Sequence, residues 1–112
     1  MNIQRGEILK IDLNPIQGRE QAGNARPCLV LSHTKYNQAR QGIVVVTPIT
    51  STIKPEVKMM IVIPKGFKVK GSVVAEQIRT LDLKTRWWKT TGEVLPTEFV
   101  DRVVRIFSVI IR

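Results

Sequence analysis

What most constrains this chain is a series of short apolar runs, rich in β-branched residues and closed by turn formers. Runs of that length and composition match strands rather than helices. Ile8 to Leu13 alternates as a half-buried strand and stops at Asn14-Pro15. Cys28 to Ser32 follows Pro27 and is continuously apolar, which points to a core strand. Ile43 to Thr47 carries three consecutive valines before Pro48, and Met59 to Ile63 ends at Pro64-Lys65-Gly66. Ser72 to Ala75 starts directly after Gly71, and Trp87 to Gly92 reads as a sixth strand or an edge.

After Leu95-Pro96-Thr97 the period changes. Phe99, Val100, Val103, Val104, Phe107, Ile110 and Ile111 form one helical stripe, with Glu98, Asp101, Arg102 and Arg105 mostly on the other side. Pro96 suits the first turn, and Glu98 and Asp101 suit its positive end. The expectation is a mainly β fold with a C-terminal α-helix: a small, strongly bent antiparallel barrel or sheet with the helix packed on it. No linker, repeat or low-complexity tract divides the chain, so residues 1–112 read as a single domain.

Charge narrows the function. Lys and Arg number 18 against 9 Asp and Glu, a formal net charge of +9, while 43% of residues are hydrophobic. That is a packed globule predisposed to polyanions, not a disordered basic tail. One cysteine, Cys28, forms no internal disulfide, and with one histidine, His33, there is neither a Cys/His zinc cluster nor a two-histidine acid–base pair. No early apolar run has signal-peptide length and none approaches a membrane span, so a soluble, cytoplasmic protein is expected.

The segment from Pro15 to Arg26 is polar and glycine-punctuated, and packing explains it least. It also opens a resemblance. Arg5 to Ile8 (RGEI), Asp12 to Pro15 (DLNP), Gly18 to Gly23 (GREQAG), Arg26 to Ser32 (RPCLVLS), Pro48 to Ser51 (PITS) and Ala75 to Asp82 (AEQIRTLD) resemble, in order, the MazF/PemK toxins. The ordered set covers nearly the whole chain. The resemblance implies a homodimeric toxin of the PemK/CcdB-like, SH3-like barrel fold. It further implies a metal-independent, sequence-specific endoribonuclease that needs no cofactor and acts on single-stranded RNA, with a small acidic antitoxin to neutralise it.

Such chemistry uses the RNA's own 2′-hydroxyl as nucleophile, leaving a 2′,3′-cyclic phosphate and a 5′-hydroxyl. It asks for a base, an acid and fixed positive charge on the phosphorane. By resemblance, Arg26 of the R-P motif clamps the scissile phosphate. Thr50 offers a hydroxyl to a phosphate oxygen, or else caps a turn. Glu20 is the loop carboxylate, read either as general base or as the ion-pair partner of Arg26. Arg19, Gln21, Glu76, Gln77 and Arg79 are assigned to RNA contact, and Lys54, in the loop after Thr50, is read either as tracking the RNA backbone or as a solvated surface lysine. Gln77 alternatively caps backbone, and Arg79 alternatively pairs with Asp82. Two departures stand out: Asn24-Ala25 adds a residue before Arg26, and the PemK-type histidine and arginine are replaced by Arg19 and Val74. The Arg26/Thr50 version is therefore favoured.

Trp87 and Trp88 point to opposite faces if they lie on a strand, one toward core or a dimer interface. His33 reads as a loop residue and Cys28 as a small core residue. Two rival functions remain, a CcdB-like toxin that inhibits DNA gyrase and a nucleic-acid-binding barrel without catalysis. With aromatics at 5%, a module that relies on stacking is the weaker of these.

Overall fold

The computed structural model describes residues 2–13 and 22–112. Seven strands run in chain order as β1 (Glu7–Asp12), β2 (Ala25–Val30), β3 (Ile43–Thr50), β4 (Met60–Val62), β5 (Ser72–Val74), β6 (Arg79–Asp82) and β7 (Trp88–Val94). Two α-helices, α1 (Thr34–Arg40) and α2 (Thr97–Ile111), sit after β2 and after β7. The order across the sheet is β4-β5-β3-β2-β1-β7, all antiparallel, with β6 also paired to β3. The sheet bends but does not close, since β4 and β7 are its two ends.

Adjacent residues feed two cores on opposite faces. Ile8, Leu29, Leu31, Ile49, Ile61 and Val73 pack with Phe99, Val100 and Val103 of α2. Leu9, Ile11, Cys28, Val30, Val44, Val46, Leu81 and Leu83 form the second core, with Trp88 and Leu13 against it. A strand buried on both faces has no polar alternation to keep, which is why Cys28 to Leu31 is continuously apolar. Each of the three buried α2 side chains contributes roughly 1.5–3 kcal/mol by leaving water. The apolar stripe outruns this core, because Val109, Ile110 and Ile111 are exposed.

Two elements depart from the sequence reading. The first is α1: His33 is a loop residue as read, at the N-cap position without a side-chain cap bond, but it leads into a helix whose one buried residue is polar. Asn37, 1% exposed, donates through its side-chain amide to Ile3 O (3.0 Å) and Ser32 O (3.1 Å) and accepts from the Ser32 hydroxyl (2.5 Å). A helix docked by hydrogen bonds leaves no apolar period to read. The second is β6, where Leu81 is the one fully buried side chain.

Arg5 ties the start of the chain to both helices. Its backbone N–H donates to the Thr34 hydroxyl (3.0 Å) and its guanidinium pairs with Asp101 (2.9 Å).

Asn37→Ala should strand two carbonyls and the Ser32 hydroxyl, costing about 1–3 kcal/mol of stability. Urea denaturation checks this; an unchanged midpoint would mean that α1 is held by something else.

Candidate functional site

The β2–β3 register builds the site. Cys28 pairs with Pro48, Leu29 with Thr47 and Val30 with Val46. Continued by two residues, that register sets Arg26 across from Thr50. Directly opposed residues of an antiparallel pair share a face, here the face of the second core, beyond Cys28 where that core ends. Arg79 joins them because β6 pairs with β3 through Val46↔Arg79.

These side chains line an open groove of about 690 Å³, with Arg26, Thr50, Lys54, Glu76, Gln77 and Arg79 all at its walls. Leu13, Pro48, Ile49, Val57, Met60 and Val74 supply the apolar part. A second groove of about 490 Å³ lies on the other side of Arg26 and Thr50, and Asn24, Pro27, Ser51 and Lys70 help to line it. Arg26 and Thr50 thus form the neck between two grooves. Six of the nine residues singled out from the sequence meet at this one place. Arg19, Glu20 and Gln21 lie outside the described residues.

Local geometry suits several of these groups to bind an anion. The Thr50 oxygen accepts from the Thr52 backbone N–H (3.2 Å), which leaves its own O–H free to donate outward. Turn capping and ligand donation are therefore compatible at Thr50. Arg26 is exposed and in no ion pair with a described residue. Arg79 does not pair with Asp82. Its guanidinium reaches Leu13 O (3.4 Å), while the Asp82 carboxylate accepts from the Lys84 backbone N–H (2.9 Å). Glu76 and Gln77 stand where the edge partner of β3 changes from β6 to β5, in a turn closed by Gln77 N–H donating to Val74 O (3.1 Å). Before Arg26 the chain makes a 3-10 turn over Ala22–Asn24, and Ala25 opens β2 opposite Asp12.

The remaining reactive side chains stand apart from this chemistry. The Cys28 thiol is pushed up to about 12 by burial, against the opposing pull of Arg79, Arg26 and Arg86. It is a core residue and not a nucleophile. Among the described residues, no three His, Cys, Asp or Glu side chains gather in one place. Among the described residues, no helix is long and apolar enough to cross a membrane.

Three contributors escaped the sequence reading. Arg86 donates to Asp12 O (2.9 Å) and so holds the end of β1 beside the site. Lys70 reaches the second groove. Gly71, with φ +126°, lets the Thr50 carbonyl pass where a Cβ would stand 1.9 Å away. A glycine immediately before a strand was the only signal for it.

Comparison with known proteins follows the same outline. The model of the PemK-like, MazF-like toxins of type II toxin–antitoxin systems matches residues 4–111. Endoribonuclease MazF9 of Mycobacterium tuberculosis is 34% identical over 106 residues, covering 88% of each chain. Endoribonuclease toxin ChpB of Escherichia coli is 31% identical over 110 residues, covering 96% of this chain and 93% of its own. Among solved structures, MazF of Deinococcus radiodurans superposes with a TM-score of 0.81 at 27% identity, covering 99% of this chain and 97% of the other. A mycobacterial endoribonuclease solved with its cognate antitoxin has the same fold, with a TM-score of 0.72 at 20% identity, covering 97% and 94%. On a match that takes in all but the first three residues and the last, the chain belongs to the PemK-like, MazF-like toxin family.

Proposed function

We propose that this protein is a sequence-specific endoribonuclease toxin that cuts single-stranded RNA at the neck between the two grooves. The observation that carries the reading is that Arg26 and Thr50 line both open, basic grooves, where the continued β2–β3 register sets them opposite each other. A strand laid from one groove to the other puts one phosphate between those side chains. The neighbouring nucleotides then rest against Lys54, Gln77 and Arg79 on one side and Lys70 on the other.

The 2′-hydroxyl attacks the adjacent phosphorus and the 5′-oxygen leaves, giving a 2′,3′-cyclic phosphate and a 5′-hydroxyl. The 2′ proton passes to a base and the leaving oxygen takes one from an acid. Arg26 holds two non-bridging oxygens, and its fixed charge meets the charge that grows on the phosphorane. The Thr50 hydroxyl donates to a phosphate oxygen. Glu20 is assigned the base, and Arg19 and Gln21 contact RNA from the same segment. Glu76 and Gln77 present polar edges to the bases at the groove wall. None of these steps calls for a metal or cofactor.

Two partners complete the proposal. An acidic antitoxin segment fits a chain of net charge +9, its carboxylates standing where phosphates would. Similar proteins have been solved as MazE–MazF complexes, among them one from Deinococcus radiodurans. A second copy of the chain covers apolar surface that one copy leaves open, around Val57, Met60, Ile106 and Val109 beside the site. The site of action is the cytoplasm. The gyrase-inhibitor reading is not favoured, since the relatives described above carry endoribonuclease names.

Arg26→Ala should lower kcat by roughly 10²–10³-fold, and Thr50→Val by about 10-fold, with unfolding midpoints close to that of the unsubstituted protein. Gel-resolved cleavage of a long RNA measures both. Full activity in Arg26→Ala would remove the neck as the cutting site. Gly71→Ala should cost more than about 2 kcal/mol in urea denaturation, because both its positive φ and the Thr50 carbonyl oppose a Cβ. A fully stable, fully active Gly71→Ala would show that Thr50 is not positioned by this close approach.

A further inference from the structure

A third groove, of about 630 Å³, shares no lining residue with the groove of Arg79. Lys10, Lys68, Lys70 and Lys89 meet there, together with Glu93. Register makes the crowding specific: β1 and β7 pair Lys10 directly with Lys89. Like charges placed directly opposite each other on neighbouring strands destabilise a sheet. The one carboxylate, Glu93, offsets part of the charge of Lys68 and Lys70, and a single negative charge among four ammonium groups leaves the groove net positive. Glu93 accepts from the backbone N–H groups of Lys68 (2.7 Å) and Val69 (3.1 Å), which pins the loop that carries Lys68 and Lys70. Both bonds favour the charged carboxylate and hold its pKa below the ordinary glutamate value.

The groove is continuous with the site. It shares Ala25, Pro27 and Lys70 with the groove that Arg26 and Thr50 help to line. Its hydroxyls are already in use, since Thr91 donates to Ile8 O (2.7 Å) and Thr90 to the Glu7 carboxylate. What it offers a ligand is a set of ammonium groups, which bind phosphates as point charges and read no base edge.

We propose that the Lys10–Lys68–Lys70–Lys89 groove is an RNA backbone track, which holds the substrate strand beyond the cleaved nucleotides without regard to sequence. The inference rests on the ribonuclease reading for its choice of RNA over another polyanion. An acidic protein segment is the alternative occupant, but the groove gives such a segment few apolar anchors, with Val69, Pro27 and Ala25 alone on its walls. Paired lysines that repel each other and wait at the end of the cutting site fit a continuing phosphate chain.

The test uses the full chain, its Lys10→Gln/Lys89→Gln double variant, and 2′-O-methyl RNA, which has no free nucleophile and so separates binding from cleavage. Fluorescence anisotropy is read with a short RNA that spans the two grooves beside Arg26 and a longer one extended at both ends. Expected is a loss of roughly 10-fold or more in affinity for the long RNA, with log K against log salt flatter by about 1.4 for two lost phosphate contacts. The short RNA should bind equally well to both proteins, and folding stability should hold or rise as the repulsion is removed. Equal losses for both lengths, or no loss for the long RNA, would overturn the track. Weaker antitoxin binding with unchanged RNA binding would hand the groove to an acidic peptide and overturn it likewise. If the long RNA loses affinity as expected while natural RNA is never cut, the track stands and the ribonuclease reading falls.

Discussion

The β2–β3 register is the constraint on which the rest of the molecule depends. Side chains alternate across a strand, so the pairing of Val30 with Val46 and Cys28 with Pro48 decides which residues face which core. Leu29 and Ile49 go to the helix side, and Val30 and Val46 to the other. Continued two residues past its last pair, the same register sets Arg26 across from Thr50, and both line the two grooves. A slip by one residue would exchange the side chains delivered to the two cores and send Arg26 to the face of Ala25 and Pro27, away from Thr50. Fold stability and the placement of the anion-binding pair are thus secured by the same interactions.

The cations on this framework remain largely uncompensated. Among the described residues the one ion pair is Arg5–Asp101, which serves the helices and lies away from the grooves. Arg26, Lys54, Arg79 and Lys70 face the two grooves with Glu76 as the opposing carboxylate. Unpaired charge lowers the stability of a compact chain, and a polyanion relieves that cost on binding. RNA and an acidic antitoxin would compete for the same relief, which is a physical route to inhibition without a separate regulatory site.

Most of the framework was legible because its central strands carry buried apolar runs between turn formers and its last helix carries a clean apolar stripe. The helix α1 was not, since Asn37 docks it through hydrogen bonds and polar docking leaves no period in the sequence. Strand β6 was missed for a related reason: Arg79, Thr80 and Asp82 give it no apolar face beyond Leu81. At the site, motif order brought forward Arg26, Thr50, Glu76, Gln77 and Arg79, Lys54 came from its place in the loop after Thr50, and the folded chain gathers all six. Lys10 and Lys89 escaped because their pairing depends on a register between the first and last strands, which neither local sequence encodes. Gly71 escaped because its requirement is set by the path of a carbonyl on another strand. Arg19, Glu20 and Gln21 fall outside the described residues, so the identity of the base rests on sequence resemblance.

The central claim is that the RNA supplies its own nucleophile at the neck between the grooves. It is tested most directly by mapping the fragment ends of a long single-stranded RNA incubated with the purified protein in EDTA, and then repeating the digestion with a single 2′-deoxy sugar on the 5′ side of the mapped cut. Expected are a recurring short sequence, 2′,3′-cyclic phosphate and 5′-hydroxyl ends, and complete resistance at the deoxy position. Fragments with 5′-phosphates, or cutting that continues past the deoxy sugar, would show that water attacks instead and would contradict the account.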